Sequence, residues 1–158
     1  MSSRRPYDAI LERVRTILSH DADLETRLQL TVEALHDSMD RYTWVGIYLL
    51  EGTELVLASW KGPRETQHQR IPIGRGICGL AARTRETVNV RDVSADSRYL
   101  MCFPSTRSEI VVPTLESEKV LGEIDVDSDQ LAAFNHEDEA FLKVVADELA
   151  KVLESRNR

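Results

Sequence analysis

Apolar residues recur along this chain with two periods, and the switching between them lays out the elements. Ile10, Leu11, Val14, Ile17 and Leu18 fall at helical spacing between Tyr7 and Ser19. Leu24, Leu28, Val32, Leu35 and Met39 repeat that spacing, with Asp21 or Asp23 placed to cap a second helix. From Trp44 to Leu50 the period drops to two, with Trp44, Gly46 and Tyr48 on one face and Val45, Ile47 and Leu49 on the other. Glu51-Gly52-Thr53 reads as a hairpin turn into a strand from Glu54 to Trp60. A polar loop from Lys61 to Arg70 leads to Gly74, Gly76 and Gly79, which open a short helix from about Cys78 to Thr84. A further strand and a loop from Asp92 to Met101 follow. Two strands, Ser108 to Glu116 and Leu121 to Ser128, then meet at the turn Glu116-Ser117-Glu118. Asn135 caps a closing helix, with Asp138 three residues on and a stripe of Phe141, Val144, Val145, Leu149, Val152 and Leu153. The tail from Glu154 to Arg158 is expected to fray. This order implies an α+β fold: a mostly antiparallel central sheet flanked by N- and C-terminal helices, as one domain over residues 1–158.

The strand Leu121-Gly-Glu-Ile-Asp-Val-Asp-Ser128 breaks the apolar pattern in an informative way. Glu123, Asp125 and Asp127 alternate with Ile124 and Val126, so three acids project from one face. A hairpin centred on Ser117 sets Glu109 opposite Asp125 on that face. Like charges across a ladder need a cation, a shared proton or a donor-rich ligand. The alternative is an exposed acidic edge, solvated throughout. Across the sheet, Gly46 between Trp44 and Tyr48 leaves room for a small ligand with an apolar part, or else the aromatics pack beneath a helix.

Composition narrows the partners. The chain has 158 residues and a formal net charge of -7, which argues against nucleic acid and anionic membrane surfaces. No apolar run reaches the roughly 20 residues that cross a bilayer, and Met1-Ser-Ser-Arg-Arg-Pro6 lacks the apolar core of a secretion signal. A cytoplasmic address is expected, and there the two cysteines, Cys78 and Cys102, are reduced thiols. His20, His36, His68 and His136 show no ligand-like spacing with them, so no metal or cofactor is expected. No local signature ties a histidine to Cys102 for hydrolysis. The glycine run lacks the lysine of a phosphate loop, although amides at its helix start can hold a carboxylate or lower a thiol pKa. Thiol redox chemistry needs an attacking thiolate, a resolving thiol and polar groups to orient an oxidised substrate. The chain supplies candidates for each, and composition alone does not bring the two cysteines together.

Four motifs in order carry a resemblance: Trp44-x-Gly-x-Tyr48; Arg70-Ile-Pro-x-Gly-Arg-Gly-x-Cys78-Gly; Cys102 with Ser108-Glu-Ile-Val-x-Pro113; and Gly122-x-x-Asp125-x-Asp127-Ser128. Together they resemble the free methionine-(R)-sulfoxide reductases, which are stand-alone GAF domains. The resemblance implies that Cys102 attacks the sulfoxide sulfur and becomes a sulfenic acid, and that Cys78 then forms a disulfide that thioredoxin reduces. It implies that Glu109, Asp125 and Asp127 bind the polar parts of free methionine sulfoxide, that Trp44 lines the pocket with Tyr48 nearby, and that the protein is a homodimer. Two positions depart from the family pattern. His68 stands where a third cysteine is usual, and Phe103-Pro-Ser-Thr106 replaces the usual Asp-Ala-Ala-Ser. The alternative from another class is a GAF module that binds a small molecule without catalysis.

Overall fold

The computed structural model describes residues 5–156; positions 1–4, the start of the segment expected to carry no secretion signal, and 157–158, the end of the tail expected to fray, lie outside it. Among the described residues the helices are α1 (Arg5–Ser19), α2 (Leu24–Ser38), α3 (Gly76–Thr84) and α4 (His136–Arg156). The strands are β1 (Trp44–Glu51), β2 (Glu54–Lys61), β3 (Arg70–Pro72), β4 (Val88–Val90), β5 (Ser108–Glu116) and β6 (Lys119–Ser128). They form one sheet of order β3-β2-β1-β6-β5-β4 with every neighbour antiparallel. The three-residue β3 is the element the sequence pattern omits. It is too short to show a period, and it sits at the sheet edge where the expected loop rejoins β2.

Period two on both faces of the central strands divides the molecule. Val45, Ile47, Ile110, Val112, Ile124 and Val126 point to one side, where Val14 and Leu18 of α1, Val32 and Leu35 of α2, and Leu142, Val145 and Leu149 of α4 bury them. The opposite residues of the same strands face α3 and the connecting segments. The helix ends follow their caps: Asp23, the second of the two candidates, accepts from the Thr26 amide at 2.8 Å. Asn135 Oδ1 accepts from the Glu137 and Asp138 amides, and Asp138 returns the bond to the Asn135 amide at 3.0 Å.

Asp138 also joins three elements. Its fully buried side chain accepts from Arg41 at 2.8 and 3.1 Å, from Tyr42 at 2.7 Å and from Tyr7 at 3.1 Å. That network clamps α1 and the entry to β1 onto the start of α4, which fixes β1 and hence Trp44 relative to the sheet.

Candidate active site

Cross-strand register decides which side chains meet on the α3 side of the sheet. Trp44, Gly46 and Tyr48 pair with Asp127, Asp125 and Glu123, and Glu109, Val111 and Pro113 pair with the same acids from β5. Glu109 therefore lies opposite Asp127, which corrects the expected pairing with Asp125. A bulge between Thr114 and Leu115 and a left-handed Ser117 at φ 55° move the hairpin off its expected centre. The shift is two residues, an even number, so Glu109 keeps its face.

The exposed-edge alternative fails on burial. β6 is central, and Glu109, Glu123, Asp125 and Asp127 are at most 3 % exposed. Both cysteines approach this acidic row. Cys78 lies in the first turn of α3, buried, with its Sγ and one oxygen each of Glu109 and Asp125 within 4.8 Å of one another. Cys102 is half-buried; its thiol donates a long bond to the Leu100 carbonyl at 3.6 Å. Cys78 and Cys102 pack in one cluster with Trp44, Tyr48 and Phe103. Gly76, at φ 67°, permits this meeting, because a Cβ there would lie 2.9 Å from Leu100 Cβ.

Desolvation governs titration here. Burial pushes the carboxyls of Glu109, Glu123, Asp125 and Asp127 above their ordinary range. For Glu109, Glu123 and Asp127 the charge of Asp125 adds to the rise. Hydrogen-bond partners are scarce: Thr106 Oγ1 donates to Asp127 Oδ2 at 3.3 Å, whereas Asp127 Oδ1 and both oxygens of Asp125 and Glu123 have none within the protein. Burial also raises both thiols, reinforced by Asp125, Glu123 and Glu109 at Cys78 and by Asp127 and Asp125 at Cys102. The helix amides expected to lower a thiol pKa are outweighed at Cys78 by burial and by the acids beside it. Cys78, Glu109 and Asp125 are also the one thiol-and-carboxylate group among the described residues compact enough to hold a metal ion; histidine spacing gave no hint of it.

Trp44 fills the room expected above Gly46. A Cβ on Gly46 would lie 2.3 Å from Trp44 Cη2, and one on Gly62 would lie 2.4 Å from Trp44 Cδ1. The two glycines make a slot for the indole. Trp60 stacks on it at 6.4 Å between centroids and Phe103 tilts against it at 5.5 Å. Beside it a narrow cleft, lined by Trp44, Phe103, Thr106 and Asp127 among others, has a volume of about 10 Å³, room for about one water. Larger hollows of about 490 Å³ beside α4 and β5 and about 470 Å³ between α1 and α4 contain none of the acids or cysteines of this row.

Residues 23–153 match the GAF domain family. The chain is 31 % identical to the free methionine-R-sulfoxide reductase of Escherichia coli (strain K12) over 153 residues, 97 % of this chain and 92 % of that protein. The type II free methionine-R-sulfoxide reductase of Thermoplasma acidophilum is 39 % identical, with a TM-score of 0.78 over 92 % of this chain and 96 % of that one. The free methionine-R-sulfoxide reductase of Neisseria meningitidis, solved in complex with its substrate, is 35 % identical, with a TM-score of 0.88 over 96 % of this chain and 90 % of that one. This chain belongs to the GAF-domain free methionine-R-sulfoxide reductase family.

As a member of the free methionine-R-sulfoxide reductase family it is an oxidoreductase, and the two departures from the family pattern take a definite place in the fold. His68 accepts a hydrogen bond from the Tyr48 hydroxyl at its carbonyl, 2.9 Å, and donates from Nε2 to the Met101 carbonyl, 2.8 Å. It ties the β2–β3 loop to the residue before Cys102. Phe103 is buried against Trp44 and walls the cleft. Two further polar residues were absent from the sequence-level site. Thr106 is named there only as the end of the departing Phe103-Pro-Ser-Thr106 segment, with no role assigned. Glu123 is visible in the sequence as a member of the alternating row, with no role assigned; the fold shows it fully buried.

Proposed function

We propose that the protein reduces free methionine-(R)-sulfoxide to methionine through a cysteine sulfenic acid on Cys102, with Cys78 as the resolving thiol and thioredoxin as the reductant. The observation that carries this reading is the shared floor: Cys78, Glu109 and Asp125 meet on the face of the sheet that also carries Asp127 and Trp44, and Cys102 packs against the cluster that holds Cys78 and the indole. The substrate relatives bring chemical support, since the Neisseria meningitidis protein was solved with its substrate.

The chemistry follows from the charges. A free amino acid brings an ammonium group, which offsets repulsion within the carboxyl row. Glu109, Asp125 and Asp127 hold the polar end, and Trp44 meets the methyl end. A carboxyl held protonated by burial donates to the sulfoxide oxygen as Cys102 sulfur attacks the substrate sulfur. The balance is sulfoxide plus Cys102 thiol giving methionine plus Cys102 sulfenic acid. Cys78 then condenses with the sulfenic acid to a disulfide and water. A cleft of about 10 Å³ is too small for an amino acid, so the segment carrying Cys102 and Phe103 shifts as substrate enters. We place the reaction in the cytoplasm, with the protein as a homodimer that uses outward faces of α1 and α2. The closed cleft and the raised thiols favour the second reading, a GAF module that binds a small molecule without catalysis.

An NADPH-coupled thioredoxin assay with free R- and S-methionine sulfoxide separates the two. The reductase reading expects turnover of the R form alone, and in Cys78→Ser a single methionine per enzyme with no recycling. Absence of turnover with the R form in the wild-type protein refutes it.

A further inference from the structure

We propose that Cys78, Glu109 and Asp125 form a binding site for one zinc(II) ion, with water in the fourth position. The Cys78 Sγ and one oxygen each of Glu109 and Asp125 lie within 4.8 Å of one another. All three side chains are buried, and Asp125 is 0 % exposed with neither oxygen hydrogen-bonded within the protein. A buried carboxylate without partners is costly, and a cation held on its oxygens removes that cost. A thiol is only a weak donor, so Cys78 in its protonated form does not remove it. Three elements set the ligands. Glu109 on β5 pairs with Asp127 and Val111 pairs with Asp125, so Glu109 and Asp125 are diagonal neighbours on one face. Cys78 comes from the first turn of α3. Gly79 seats that turn: a Cβ there would lie 2.8 Å from the Pro72 carbonyl oxygen and from the Gly74 nitrogen, and the Gly79 carbonyl accepts from the Gly74 amide at 2.9 Å. Only the folded chain brings the three ligands together.

The donor set selects the ion. Magnesium and calcium are held by oxygen ligands, and a thiolate suits neither. Zinc takes sulfur and carboxylate oxygen together, and three protein ligands with a water complete its tetrahedron. With Zn–S of about 2.3 Å and Zn–O of about 2.1 Å, sulfur and oxygen stand about 3.6 Å apart in that geometry. Small side-chain rotations reach this from the present spacing. On binding, the Cys78 S–H bond breaks, the sulfur electron pair goes to zinc, and the proton passes to solvent together with any carboxyl proton. No group is oxidised or reduced. On the reductase reading the ion occupies the resolving thiol and two of the substrate-binding acids, so zinc and substrate exclude each other. The binding itself rests on neither functional reading.

Reduced, metal-stripped protein is titrated with cobalt(II), and with zinc(II) in competition with a chromogenic chelator, with no substrate or thioredoxin present. Expected for the wild type are one ion per chain, a near-ultraviolet thiolate-to-cobalt absorption band, and loss of that band when zinc is added. Cys78→Ser abolishes the band, and Cys78→Ser and Asp125→Asn each weaken zinc binding at least about tenfold. Cys102→Ser keeps the band and binds zinc within about threefold of wild type. Circular dichroism checks the fold of each variant, and Asp125→Asn carries the test where Cys78→Ser does not fold. Absence of the cobalt band in the wild type overturns the proposal. So does zinc affinity unchanged in Asp125→Asn, or a band lost in Cys102→Ser and kept in Cys78→Ser. Binding that survives both Cys78→Ser and Asp125→Asn is an adventitious ion only, held by exposed histidines such as His20 and His136, and overturns it as well. Failure of the reductase reading has a separate signature, because the wild-type protein then releases no methionine from the sulfoxide while the metal titration is unaffected.

Discussion

Replacing Asp125 by asparagine is expected to raise stability and lower activity together. The Asp125 side chain is fully buried and neither oxygen has a partner within the protein. Folding above acidic pH must bury a charge there or bind a proton. Asparagine removes that cost and carries amide donors into the neighbourhood of Glu109 and Asp127. An unpaired buried polar group costs roughly 1–3 kcal/mol, so Asp125→Asn should gain about 1–3 kcal/mol near pH 8. At roughly 2–4 °C per kcal/mol for a chain of this size, Tm rises by about 2–12 °C. The pH dependence has a fixed sign. Burial raises the folded-state pKa above its ordinary value of 3.8, so the folded wild-type chain binds the extra proton. Its stability therefore falls as pH rises past that value, and the advantage of the variant disappears below it. Activity moves the other way. Loss of a charge-assisted hydrogen bond of about 1.5–3 kcal/mol lowers kcat/KM roughly 10- to 150-fold. Thermal unfolding followed by circular dichroism across acidic to alkaline pH, beside steady-state kinetics, reads both. A variant that melts below wild type near pH 8 would refute the reasoning, because the carboxylate would then be fully compensated in the folded protein.

Asp138→Asn should destabilise by about 2–4 kcal/mol, since it breaks a buried charge pair whose Arg41 side chain keeps 29 % exposure and some solvent screening. The kcat/KM of the folded fraction should stay unchanged. The folded pKa of Asp138 is depressed by Arg41, the Asn135 amide and Tyr42 against the opposing effect of burial. Its stabilisation is present above the unfolded value near 3.8 and lost as pH falls through the folded value, so urea titrations of wild type and variant should converge in acid. Gly46→Ala places a methyl 2.3 Å from Trp44 Cη2. It should cost about 1–3 kcal/mol by overpacking and raise KM as the indole moves; an unchanged Tm with unchanged kinetics would show that the ring slot has slack.

The faces of the strands were legible in the sequence because period two needs only alternation, and Glu123, Asp125 and Asp127 share a face in every even register. The pairing of Glu109 was not legible. It depends on the bulge after Thr114 and the left-handed Ser117, and neither residue type demands that geometry. The same limit applies to Gly46, where a missing side chain reads as open space until the Trp44 rotamer is known. The sequence places the start of α3 within two residues: it begins at Gly76 instead of Cys78. What packs over the acidic row, Cys78 beside Glu109 and Asp125 and the His68 link to Met101, comes from segments whose paths the periodic signal does not set.

The most direct test of the shared thiol and acid floor is the intact mass of the reduced protein after one exposure to free methionine-(R)-sulfoxide without reductant. The account predicts one methionine released per chain and a protein lighter by two hydrogen atoms, with the cross-link mapped to Cys78 and Cys102 and no change in Cys102→Ser. An unaltered wild-type mass, or methionine released at the wild-type rate by Cys102→Ser, would contradict it.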